Sequence, residues 1–84
     1  MSKTKQLEKN VKLSGKLAEY IASNPSAVKN LPGDVSFVIF SSKDEELNMA
    51  NQKLAKSLKS EGKKVVKAVE NRNERQPWTF SLAV

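Results

Sequence analysis

The segment Val35-Ser36-Phe37-Val38-Ile39-Phe40 constrains this chain more than any other. Five of its six residues are β-branched or aromatic, and it is apolar in both registers of a period-two pattern, which reads as a strand buried on both sides. Such a strand belongs in a sheet covered on both faces, or covered on one and paired with another subunit on the other. The residues after this strand fix the topology. Ser42 and Glu45 have capping-box spacing, and Asp44, Glu45 and Glu46 place negative charge where a helix dipole favours it. Leu47, Ala50, Asn51, Leu54, Ala55 and Leu58 then fall on one helical stripe. Gly62 takes the position just past the helix end, after Lys59 in the last turn. Lys63 to Val69 returns as a strand carrying Val65, Val66, Ala68 and Val69. Strand, helix and strand make a βαβ unit, with parallel strands and a right-handed crossover.

Upstream, Leu7, Val11, Ser14, Leu17, Ala18 and Ile21 recur at spacings of three and four, with Leu13 and Tyr20 widening the stripe. This predicts an N-terminal helix, frayed over residues 1–5 and ending near Ser23, because Pro25 disfavours helical geometry at Asn24. Gly15 costs that helix about 1 kcal/mol relative to Ala unless a neighbouring backbone packs close. Asn24-Pro25 opens a short helical turn, with Val28 and Leu31 turned inward, and Pro32-Gly33-Asp34 makes a turn. Beyond the polar loop 71–76, Trp78, Phe80, Leu82 and Val84 alternate with Thr79, Ser81 and Ala83 as a last strand. It can form a hairpin with the preceding strand or pair elsewhere, including on a second subunit. The expected architecture is a single domain over residues 1–84, α/β bordering on α+β. It has a three-stranded mixed sheet, both long helices on one face and the other face under-covered.

The chain has 84 residues, room for one domain with a modest core. Only 38% of them are apolar and 29% are charged, so the core is thin and sharing surface with a second copy is an economical way to complete it. There is no Cys, which removes disulfides, zinc ribbons and thiol nucleophiles. There is no His, which removes the commonest metal ligand and general base. No catalytic residue, metal or cofactor is expected, and the chain reads as non-enzymatic. No apolar run is long enough to span a membrane, and no apolar stretch follows the basic start Met1–Lys5, so a cytoplasmic protein without membrane contact is expected.

Lys5, Lys9, Lys12 and Lys16 form one basic stripe on the first helix, in a chain of net charge +6. The stripe is either a solvated face or a surface that follows a polyanion. The cations are almost all Lys, whereas bidentate phosphate reading favours Arg. Phe37, Phe40, Trp78 and Phe80 are candidates for core, for a self-association face or for base stacking. Trp78 is expected half-buried, with its indole N–H at a rim. Ser41 and Ser42, where the first strand meets the second helix, sit where α/β proteins hold anions. Asp44, Glu45 and Glu46 repel a phosphate there, so capping alone is expected. Asn51 is expected to face a loop at the edge of its stripe. A buried amide there needs hydrogen-bond partners and serves to fix register.

Asn24-Pro25, Leu31-Pro32, the strand Val35–Phe40, Glu45-Glu46-Leu47 with Asn51 and Leu54-Ala55, and Glu61-Gly62-Lys63-Lys64-Val65-Val66 occur in this order. Over about residues 10–70 the chain thereby resembles a family of short prokaryotic proteins of uncharacterised function. The resemblance implies the fold and a cytoplasmic bacterial or archaeal origin, and carries no catalytic residue. Ala50, Leu54-Ala55, Leu58 and Gly62 are also similar to the βαβ portion of aminoacyl-tRNA synthetase anticodon-binding domains, a pattern any amphipathic crossover helix produces. The expected function is a self-associating protein-interaction module, a homodimer. The alternative is a nucleic-acid-binding protein that uses the Lys stripe.

Overall fold

A computed structural model of the chain describes residues 1–82. Helix α1 spans Lys3–Ser23 and is followed by a 3-10 turn, Pro25–Val28. Strand β1 is Val35–Ser41, helix α2 Glu45–Ser60, strand β2 Lys64–Glu70 and strand β3 Trp78–Leu82. The sheet order is β1-β2-β3. β1 and β2 are parallel, with Val35 opposite Lys64 and Ser41 opposite Glu70. β2 and β3 are antiparallel, with Glu70 opposite Trp78 and Val66 opposite Leu82. This is the three-stranded mixed sheet expected for a small α/β protein, and the last strand takes the hairpin option. Ala83 and Val84, read as the end of that strand, lie outside the described residues.

The helix ends follow local chemistry. Ser2 caps α1, its Oγ accepting from the Lys5 N–H at 3.1 Å, so residues 3–5, expected to fray, form the first turn. The Asn24 N–H and side-chain amide both donate to the Tyr20 carbonyl at the other end, at 2.9 and 3.0 Å. α2 is capped by Asp44 rather than by Ser42, with Asp44 Oδ1 accepting from the Leu47 N–H at 3.1 Å. The difference arises because β1 runs through Ser41, and a turn closed by the Asp44 N–H on the Ser41 carbonyl precedes the helix. Gly62 (φ 83°) ends α2, with its N–H on the Lys59 carbonyl and the Lys63 N–H on the Leu58 carbonyl. That paired pattern requires a left-handed residue, which Gly supplies without a Cβ penalty.

Alternation along β1 divides the core into two clusters. Ile39 joins Ala68 and Trp78 under Leu13 and Leu17 of α1, with Leu47 of α2. Val38 and Phe40 join Val65 on the other face, under Ala55 and Leu58 of α2. The helices thus differ in one detail from the expected placement. α1 covers one face, while α2 contributes to both clusters and covers the second face with its C-terminal half. The inner face of α1 is also rotated from the sequence reading. Leu13 and Leu17 are buried, whereas Leu7 and Val11 are each 64% exposed. The half-buried amides of Gln6 and Asn10 stand on the inner face instead, because the group they meet on α2 is polar.

That polar partner is Asn51, which is fully buried. Its carboxamide pairs reciprocally with Asn10 at 2.8 and 3.1 Å, accepts from Gln6 Nε2 at 3.0 Å and donates to the Ile39 carbonyl at 2.7 Å. The loop-facing position expected for Asn51 is therefore corrected. The stripe continues through a site where three elements meet, and only an amide can serve all of them. Asn48, one turn earlier, accepts from the Ser41 N–H and donates to the Ser41 carbonyl, both at 2.8 Å. The Ser42 N–H donates to Glu70 in β2. By alternation, Ile39 and Ser41 turn their backbone groups to the outer edge of β1. Two side-chain amides of α2 thus stand in for a missing neighbour strand at the carboxyl end of that edge, at Ile39 and Ser41.

Candidate functional site

The four rings proposed as an interface separate in the structure. Phe40 is buried, with the Lys67 ammonium 4.6 Å from its ring centre. Trp78 is only 5% exposed, against the half-buried position expected, because its place opposite Glu70 puts it under α1 with Leu13 and Leu17. Phe40 and Trp78 are core residues on opposite faces of the sheet. Phe37 and Phe80 remain accessible, at 38% exposure for Phe37 and partial burial for Phe80. Their rings meet edge to face with centres 6.0 Å apart, and Tyr20 lies 6.4 Å from Phe80 on the other side. The register places Leu82, 52% exposed, on the same face.

This patch borders the outer edge of β3. The Asn71 N–H donates to the Pro77 carbonyl at 2.7 Å, which sets the phase of the hairpin. Hydrogen-bonded and non-bonded pairs alternate along an antiparallel ladder. Thr79 and Ser81 therefore address β2, while Trp78, Phe80 and Leu82 turn their N–H and C=O groups outward. Nothing along Trp78–Leu82 carries a charge or is a proline. Amides guard the carboxyl end of the β1 edge, whereas the β3 edge carries neither a charge nor a proline. The molecule also exposes 5942 Å², about 900 Å² more than the roughly 5,000 Å² typical of a monomer of this mass.

The Lys stripe divides as well. Lys9 forms an ion pair with Asp44, and its hydrogen bond, seconded by the Leu47 N–H, holds the Asp44 carboxyl below the usual carboxylate range. Lys16 lies 3.6 Å from Glu70. Lys9, Lys12 and Lys16 overlook a hollow of about 220 Å³ at the carboxyl end of β1, lined also by Ser41, Lys43 and Asp44. Lys5 is outside that lining and reaches Asp44 only through its field. Lys43, a turn residue, carries no sequence signal, because only the crossing of α1 over the start of α2 brings it to the stripe. Ser41 is buried there, accepting from the Lys43 N–H and donating to Glu70 at 3.4 Å.

Among the described residues, no group of three Asp or Glu is placed to hold a metal ion. No described helix is long and apolar enough to cross a membrane. Comparison with curated proteins and with solved structures gave no match. A family model does match, over residues 5–76, the span that carries α1, the NP and LP turns, β1, the asparagine-bearing α2 and β2. By that match the chain belongs to a family of unknown function, DUF5647.

Proposed function

We propose that this protein is a non-enzymatic interaction module that pairs with a second copy of itself through β3. The observation that carries the reading is the contrast between the two sheet edges, one guarded at its carboxyl end by Asn48 and Asn51, the other uncharged and outward-facing at Trp78, Phe80 and Leu82. Antiparallel pairing of two β3 strands about a two-fold axis satisfies those groups on both copies and makes one six-stranded sheet. It brings Phe80 and Leu82 of each copy to the seam, with Phe37 two strands behind them on the same face. Two copies of charge +6 repel, so the pairing strengthens as salt screens them. The nucleic-acid alternative has less to stand on, since Lys9 and Lys16 each face a carboxylate rather than forming a free stripe.

Sedimentation velocity at micromolar concentration tests this. The wild type is expected to run as a dimer. Ser81→Lys is expected to run as a folded monomer, because Ser81 is exposed and a charge on the edge opposes pairing. A wild type that stays monomeric at all concentrations, or a Ser81→Lys variant that stays dimeric, refutes pairing through β3.

A further inference from the structure

The geometry points to a second site, independent of the β3 edge: the lysine-lined hollow at the carboxyl end of β1 binds a phosphate monoester group. Four lysines from two separate elements line it: Lys9, Lys12 and Lys16 from α1, and Lys43 from the turn before α2. Two carboxylates answer them. Asp44 is taken by Lys9, and Glu70 lies near Lys16. Lys12 and Lys43 make no ion pair among the described residues. The balance of the cluster is two positive charges, and a phosphate monoester is a dianion near neutral pH.

A merely solvated lysine face spreads its charges, because like charges held around one hollow repel. Here four lysines border one hollow, and the helix packing that brings them there is fixed by the Asn10–Asn51 pair and by Leu13 and Leu47 beneath. The pull does not come from the start of α2, where the Asp44 side chain already occupies the Leu47 N–H. It comes from side-chain ammonium groups, which suit a phosphate held as a compact charge. The acidic first turn of α2 does not close the site, since Asp44 is neutralised by Lys9 and neither Glu45 nor Glu46 lines the hollow. At about 220 Å³ the hollow is below the roughly 300–1,000 Å³ of pockets that enclose drug-sized ligands. It therefore takes the phosphate group and leaves the rest of a ligand outside.

The test is a set of amide-NMR titrations of the full chain with inorganic phosphate, a nucleoside 5′-monophosphate, the nucleoside alone, and chloride at matched ionic strength. Phosphate and the monophosphate are expected to shift the Ser41, Lys43 and Asp44 amides with similar affinity, and the nucleoside and chloride to leave them in place. Lys12→Gln and Lys43→Gln are each expected to weaken phosphate about threefold, and together about tenfold. Both positions are exposed, so the fold persists. Lys56→Gln, on the exposed surface of α2, is expected to leave binding unchanged. Chloride shifts equal to those of phosphate, a nucleoside that binds as well as its monophosphate, or equal weakening by Lys56→Gln overturns the site.

Discussion

Asn51→Leu tests whether the amide network organises the fold. The substitution keeps the side chain near its original volume and removes every polar atom. The Ile39 carbonyl, at a fully buried contact, then loses its partner, at about 1–3 kcal/mol. Asn10 and Gln6 are half-buried and can turn to water, so the bonds they lose cost less, about 0.5 kcal/mol each at the low end of the usual range. The sum is about 3 kcal/mol, large against a total of roughly 4–13 kcal/mol for 84 residues. Urea unfolding followed by Trp78, the single tryptophan and a buried one, reads the change directly. The midpoint should fall by about 1–3 M at the slopes usual for small domains. Measured in the Ser81→Lys background, the loss is separated from association. Asn10→Ala should cost about 1 kcal/mol, and the double mutant should show a coupling of about 1 kcal/mol or more. A loss below about 0.5 kcal/mol for Asn51→Leu would mean that buried leucine replaces the network without cost, and the reasoning fails.

Two glycines should respond in opposite directions to alanine. Nothing lies within 4 Å of a Cβ built at Gly15, mid-helix in α1, so Gly15→Ala should stabilise by about 0.5–1 kcal/mol in thermal unfolding. Gly62 has equal space but a φ of 83°, so Gly62→Ala should destabilise by about 1–2 kcal/mol in the same assay. Asp44 gives the acid limb of stability. Its folded pKa is depressed, chiefly by the Lys9 hydrogen bond, so its contribution is full above the unfolded value near 3.9 and is lost as pH falls through the folded one. Asp44→Asn should therefore lower stability at pH 7 and flatten its fall below about pH 4. An unchanged acid slope in chemical denaturation at stepped pH would remove the Lys9–Asp44 pair as a source of stability.

Much of the fold is legible in the chain because its signals are local. The two-faced strand, the acidic helix start and Gly62 set the βαβ unit, and Pro25 sets the end of α1. The positions that depart from the local pattern are those where partners distant in sequence decide. Leu7 and Val11 satisfy a helical period, yet α1 turns Gln6 and Asn10 inward, since the groups they meet on Asn51 are some forty residues away. Ser42 has the spacing of a capping box, but β1 extends through Ser41 and moves the helix start to Asp44. Trp78 alternates like an amphipathic strand residue, and only its register against Glu70 shows that α1 covers it. The Lys stripe is visible in the sequence, whereas its meeting with Lys43 and Ser41 depends on how α1 crosses the sheet. No pattern within β3 distinguishes an edge that pairs from one that stays open. That contrast emerges only once the amides of α2 are seen to bond Ile39 and Ser41 on the other edge.

The most direct test of the central claim is amide hydrogen exchange along β3 as a function of protein concentration. The Phe80 and Leu82 N–H groups point away from β2, and those of Thr79 and Ser81 point towards it. Pairing through β3 predicts that Thr79 and Ser81 are protected at every concentration, while Phe80 and Leu82 gain protection as the dimer forms. If Phe80 and Leu82 exchange freely and equally fast from dilute to concentrated samples, the edge is open and pairing through β3 is wrong.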